Sequence, residues 1–166
     1  DYVGGVAGCL NSTGVIMRSV YNTSTVTGNT YVGGVVGRYG ESAVLAYAYN
    51  TGMVTGNNYV AGVAGLSTGG DPIIYCYNTG DITGGDHVSG IWEGSTSYSY
   101  NTGTITGVNY VGGICGDAGG KTITSVYNSG DVKGTGDYVG GLYGKAEVIH
   151  NGPIPSGYYY NSYNVG

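Results

Sequence analysis

The stretch YVGGVVG at Tyr31–Gly37 is one copy of a phrase that returns along the whole chain. YVGGVAG at Tyr2–Gly8, YVAGVAG at Tyr59–Gly65, YVGGICG at Tyr110–Gly116 and YVGGLYG at Tyr138–Gly144 repeat it, and HVSGIWEG at His87–Gly94 is a degraded copy. A second anchor, Tyr-Asn followed by Thr or Ser, alternates with the first. It stands at Tyr21-Asn22, Tyr49-Asn50, Tyr77-Asn78, Tyr100-Asn101 and Tyr127-Asn128, with an irregular last copy read at Tyr160-Asn161. The spacings between the first five anchors are 28, 28, 23 and 27 residues. Self-similarity at such a period marks a repeat architecture in which each unit buries its apolar face only against its neighbours.

Alignment of the units separates columns by character. Val3, Val32, Val60, Val88, Val111 and Val139 form a valine column. Val6, Val35, Val63, Ile91, Ile114 and Leu142 form a branched aliphatic column, and Val26, Val54, Ile82, Ile105 and Val132 a third. Burial is what restricts a column to branched aliphatics, so all three are expected to point inward. The neighbouring column Ala7, Val36, Ala64, Trp92, Cys115 and Tyr143 varies freely in size and is expected to face outward. The two inward positions of YVGGV are three residues apart, out of phase with a flat strand. The double glycine therefore predicts a bend, where a side chain would clash or φ must be positive.

These short strand-like pieces, punctuated by glycine and lacking helical periodicity, predict an all-β fold. We expect a parallel β-solenoid of about six coils with about 28 residues per coil, right-handed by the general crossover preference. Residues 1–144 would form the repeats, and residues 145–166 an atypical last coil or partial cap of the same domain. Insertions and deletions cluster between the YVGG and Tyr-Asn anchors, which places loops there.

The repeat Gly-Gly-aliphatic-x-Gly, a variable loop and then Tyr-Asn-Thr-Gly-x-Val-x-Gly resembles the GLUG repeat of bacterial surface proteins. Gly141-Leu142-Tyr143-Gly144 is the nearest literal copy, and the resemblance runs from Tyr2 to Gly144. It implies an extracellular or cell-surface region of an adhesin-like protein. Such repeats also occur as a non-catalytic part of immunoglobulin A1-cleaving metallopeptidases, so the resemblance implies no catalytic residues. The chain begins inside the repeat, as a piece of something longer would.

Composition narrows the functional classes. Of 166 residues, 36 are glycine, 19 tyrosine and none phenylalanine, and only 9% are charged. The net charge of -5 and the scattered cations leave no basic patch, so nucleic acid is not an expected partner. No apolar run is long enough for a membrane-spanning helix, so membrane insertion is not expected either. Three cysteines cannot form a closed disulfide set; Cys76 occupies a small-residue slot and is expected as a buried thiol.

Aromatic residues are the candidate binding groups. Tyr47 and Tyr49, Tyr75 and Tyr77, and Tyr98 and Tyr100 are i, i+2 pairs, each expected on one side of a strand and stacked coil over coil. With Trp92 and Tyr143 they would present an aromatic surface to a glycan or protein, or to further copies of the chain stacked end to end. Asn22, Asn50, Asn78, Asn101 and Asn128 are expected as a structural ladder. His87 is read as an ordinary occupant of the YVGG tyrosine column. No His-Glu-x-x-His or nucleophile-elbow motif occurs, and Asp71, Asp81, Asp86, Asp117 and Asp137 are too sparse for a clustered calcium site. We therefore expect no catalytic residue, metal or cofactor. The reading is a non-catalytic structural or adhesive module. Its alternatives are a filament subunit stacking through open ends and a carbohydrate-active enzyme. For the enzyme the candidates are Asp81 and Asp131, which share a column, while His150 is read as lying in an irregular loop.

Overall fold

A computed structural model describes residues 1–10, 14–40, 43–67, 72–147 and 157–166. The chain winds as a parallel β-solenoid of about five turns, with about 28 residues per turn. Its strands are only two to four residues long. One regular coil contributes Thr30–Gly33, Val36–Tyr39, Val44–Ala46, Tyr49–Asn50 and Val54–Thr55. Each strand pairs in parallel with its equivalent one coil away, so identical repeat positions lie in register. Val32 meets Val3 and Val60, and Asn50 meets Asn22 and Asn78.

Among the described residues, two apolar clusters form the core. Val26, Val54, Ile82 and Ile105 pack against Val32, Val60, Val88 and Val111. The larger cluster holds Val35, Val63, Ile91 and Ile114, together with Leu45, Ile73 and Ile123. Each fully buried aliphatic side chain contributes about 1.5–3 kcal/mol, which repetition multiplies.

The column expected to face outward is inside. Val36, Ala64, Trp92 and Cys115 are buried within the larger cluster, and Ala7 and Tyr143 pack against it. Consecutive residues point inward because the chain turns a corner between them. The amides of Val35 and Val36 both donate to the carbonyl of Val63, at 3.0 and 2.9 Å, and the same doubling recurs at Ile114 and Cys115 on Leu142. Size varies in this column because the adjoining loop varies and each side chain fills the space its own coil leaves.

The second glycine of the pair explains the bend sterically. A Cβ on Gly34 would lie 2.2 Å from the carbonyl oxygen of Gly62 and 2.4 Å from the side-chain amide carbon of Asn50. Close approach, not positive φ, demands glycine here. The space admits the asparagine column, which meets the chain between Val32 of one core cluster and Val35 of the other. Each asparagine Nδ2 donates to the Oδ1 of the next coil, over 2.7–2.9 Å from Asn22 through Asn50, Asn78, Asn101 and Asn128 to Asn164. Its second proton closes its own turn, as from Asn50 to the carbonyl of Gly52 at 2.7 Å. A buried amide row of this kind leaves little polar capacity unpaired, which is why it is tolerated between two apolar clusters.

The last rung differs from the sequence reading. Tyr163-Asn164, not Tyr160-Asn161, pairs with Tyr127-Asn128. Tyr160 pairs with Thr124 instead, and Asn161 takes the corner conformation that Ser125 has one coil earlier. Tyr158–Tyr160 and Tyr163–Asn164 extend two sheets in register, so these residues continue the stack.

Candidate functional site

Among the described residues, three aromatic ladders climb the solenoid. Tyr21, Tyr49, Tyr77, Tyr100, Tyr127 and Tyr163 stack at 4.7–5.4 Å between ring centroids, with planes within 7°. Tyr47, Tyr75 and Tyr98 stack at 5.0 Å. Tyr2, Tyr31, Tyr59, His87, Tyr110 and Tyr138 form the third, with His87 seated 4.5 Å from both neighbours. Each such contact adds about 0.5–1.5 kcal/mol beyond burial. Tyr77 and Tyr100 have raised pKa values, from partial burial and then from adjacent phenols in the ladder.

Two of these ladders stand on left-handed backbone. Tyr31, Tyr59, His87, Tyr110 and Tyr138, and likewise Tyr47, Tyr75 and Tyr98, have φ between 51° and 61°. That conformation costs a side-chain-bearing residue about 1–2 kcal/mol, which ring stacking offsets. Tyr47 thus sits at the corner between Val44–Ala46 and Tyr49–Asn50, and the Tyr47–Tyr49 pair spans that corner instead of sharing one strand. Ala48, Cys76 and Ser99 point inward between the paired tyrosines. Burial pushes the Cys76 thiol up to about 12, so it is inert.

Stacking also decides what the ladders display. Each internal ring has its faces covered by its neighbours, so the outward part is an edge bearing a hydroxyl. Tyr47, Tyr75 and Tyr98 are 50%, 44% and 58% exposed, while Tyr49, Tyr77 and Tyr100 are half-buried. Trp92 does not belong to this surface. It is 1% exposed, edge-on to Tyr39 at 5.3 Å, with Nε1 donating to the carbonyl of Ser95 at 3.2 Å. Tyr143 is half-buried against Tyr159, so it too is largely a packing residue.

The fourth coil holds a polar site that the column pattern does not announce. It is the short one, with Asn78 and Asn101 only 23 positions apart. Its second strand is reduced to one bridge, Ala64 to Trp92, which splits that side of the solenoid into a three-stranded and a two-stranded sheet. Here Ser89 stands where most copies have glycine, and Glu93 replaces the glycine that closes every other copy. At a regular coil that position is closed to side chains, since a Cβ on Gly37 would lie 2.4 Å from the backbone nitrogen of Val3.

These polar side chains substitute for the missing strand. Ser89 Oγ accepts from the amide of Gly116 at 2.9 Å, and Glu93 Oε1 accepts from the amide of Asp117 at 3.1 Å. His87 Nδ1 donates to the Glu93 carboxylate at 3.0 Å. Burial raises the Glu93 pKa against the lowering pull of His87, while the hydrogen bond to Glu93 raises that of His87. A pocket of about 250 Å³ opens beside them, lined by Tyr59, Leu66, His87, Glu93, Asp117 and Lys121, among others. The signal for this site in the sequence is the simultaneous loss of the loop, the tyrosine and the closing glycine in one repeat.

The acids considered for catalysis have local partners. Asp81 Oδ1 accepts from the amide of Thr104 at 2.9 Å, and Asp131 pairs with Lys133 at 3.1 Å on the surface. Among the described residues no group of three or more His, Cys, Asp or Glu side chains could hold a metal ion. Asp71 and His150 lie outside the described residues. Comparison with protein-family models, curated proteins and solved structures finds no match.

Proposed function

We propose that this chain is a non-catalytic structural module of an extracellular or cell-surface protein, presenting aromatic ladders for multivalent contact with a glycan or protein surface. The observation that carries the reading is the continuous exposed row Tyr47, Tyr75 and Tyr98, repeated at 5.0 Å along one corner of the solenoid. An extended partner can meet successive hydroxyl-bearing edges, so weak contacts add along the rod. The resemblance of the repeat to GLUG units supports the surface location. The test replaces Tyr47, Tyr75 and Tyr98 together by serine, with the fold verified by circular dichroism. Binding on a glycan array or to a host-surface protein preparation is expected to disappear, and retained binding refutes the reading.

A second reading is favoured by the ends of the stack. Val6 is 43% and Val139 39% exposed, so core columns end in solvent. Open strand edges template further in-register strands. Those strands can come from more coils of a longer chain or from a second copy building a filament. Electron microscopy separates the two, because only self-stacking produces long fibres from the isolated chain.

A further inference from the structure

We infer that the notch left by the short fourth coil is a binding subsite for a single neutral sugar ring or the end of a glycan chain. This goes beyond the ladder reading and uses none of Tyr47, Tyr75 and Tyr98.

The notch is a built feature. One coil has lost its lateral loop and its second strand, and in the same coil three positions have become polar: His87, Ser89 and Glu93. The Glu93 carboxylate is held from two directions, by the imidazole of His87 and the amide of Asp117, and its side chain is only 9% exposed. Asp117 is fixed as well, because its Oδ1 accepts from the amide of Gly119 at 2.9 Å. Preorganised acceptors of this kind bind without a large ordering cost.

The lining chemistry selects the ligand. Glu93 and Asp117 supply acceptors, while Lys121, His87 and the Tyr59 hydroxyl supply donors. Two carboxylates face an ammonium group and an imidazole hydrogen-bonded to Glu93, so groups of both signs line the pocket. Such a surface rewards a ligand whose groups both donate and accept without net charge. A ring of hydroxyls has that property, whereas an anion would meet the carboxylates and a cation would meet Lys121. Leu66 offers one apolar wall. The Tyr59 ring cannot serve as a stacking platform, since Tyr31 and His87 cover its faces. The volume of about 250 Å³ lies below that of sites for drug-sized ligands, roughly 300–1,000 Å³, and suits one ring.

The test is an amide NMR titration of the intact chain with methyl glucoside, methyl galactoside and methyl N-acetylglucosaminide. Glucuronate and glucosamine serve as charged controls. At least one neutral glycoside should shift the amides of Gly116, Asp117, Gly119 and Lys121 in a saturable way. Lys121→Ala and Asp117→Asn should each weaken binding about tenfold, as loss of one hydrogen bond to a charged group does. Lys121→Gln serves as the second variant should Lys121→Ala fail to fold. The serine triple variant of Tyr47, Tyr75 and Tyr98 should leave the shifts unchanged, so failure of the ladder reading and failure of this one are distinguishable. No shift with any neutral glycoside, tighter binding of a charged control, or indifference to the Lys121 and Asp117 variants overturns the proposal.

Discussion

The third and fourth coils solve the same problem in different ways. In the third, Ala64–Ser67 continues the sheet beside Val36–Tyr39 through regular backbone pairing, and Gly65 allows the strands to approach. In the fourth, a single bridge at Trp92 remains, and side chains of Ser89 and Glu93 satisfy amides that a strand would otherwise have paired. Trp92 meanwhile reaches into the core to meet Tyr39. The stack survives the lost strand because volume and hydrogen bonds are both replaced. The general lesson is that a solenoid needs every buried amide answered and every layer filled, but not always by backbone.

The largest expected effect comes from removing the volume. Trp92→Ala should destabilise the chain by about 3–5 kcal/mol, as large aromatic truncations in cores do, and urea unfolding measures it. A cost below that of Val36→Ala in a regular coil would mean the indole is not filling the gap. Next is the asparagine ladder, which runs through both coils unchanged. Asn101→Ala removes the coil-to-coil acceptor of Asn78 Nδ2, the coil-to-coil donor to Asn128 Oδ1 and the bond to the Gly103 carbonyl, at a cost of about 2–4 kcal/mol for the three lost hydrogen bonds. Asn50→Ala should cost the same, and unequal urea midpoints would show that the short coil strains the ladder.

Glu93→Gly is the sharper test, because it restores the residue every other copy carries. It should nevertheless destabilise by about 1–3 kcal/mol, since the Asp117 amide loses its acceptor. Glu93→Gln keeps an acceptor and should stay near wild type. A gain in stability from Glu93→Gly would break the replacement argument.

The smallest effect is on pH dependence. His87 has a folded pKa above its ordinary 6.5, so the stability it adds is complete below 6.5 and fades as pH rises through the raised value. Glu93, also raised, from 4.5, binds its proton more tightly when folded, so its ionisation above 4.5 likewise works against folding. Both groups make stability fall as pH rises from acid toward and past neutrality, with Asp86, Asp117 and Tyr59 as the charged or titratable neighbours. His87→Tyr should flatten that slope relative to wild type in urea melts across this range. An unchanged slope would show that the pair does not couple to folding.

Much of the fold is legible in the sequence because stacking turns each repeat position into a column. The three aliphatic columns and the asparagine row follow from that alone, since residues that lie over one another meet the same surroundings. The Val36 column misleads because variability there mimics exposure, while the chain turns two successive residues inward on one carbonyl. The end of the chain misleads by local likeness. Tyr160-Asn161 matches the anchor, but pairing to Thr124 is what places it. Of the candidate site, the tyrosine ladders can be read from the repeat. Their left-handed backbone cannot, nor can the covering of their faces within the stack.

Periodicity alone dictates a coil of short parallel strands, because valine, glycine and asparagine recur at one period and in one order. Where the repeat fails, and how the gap is filled, is a matter of packing between coils. Whether Glu93, Ser89 and His87 are isolated oddities or one polar site depends on which amides a missing strand leaves open. Neighbours one coil away set that, and they are distant in sequence.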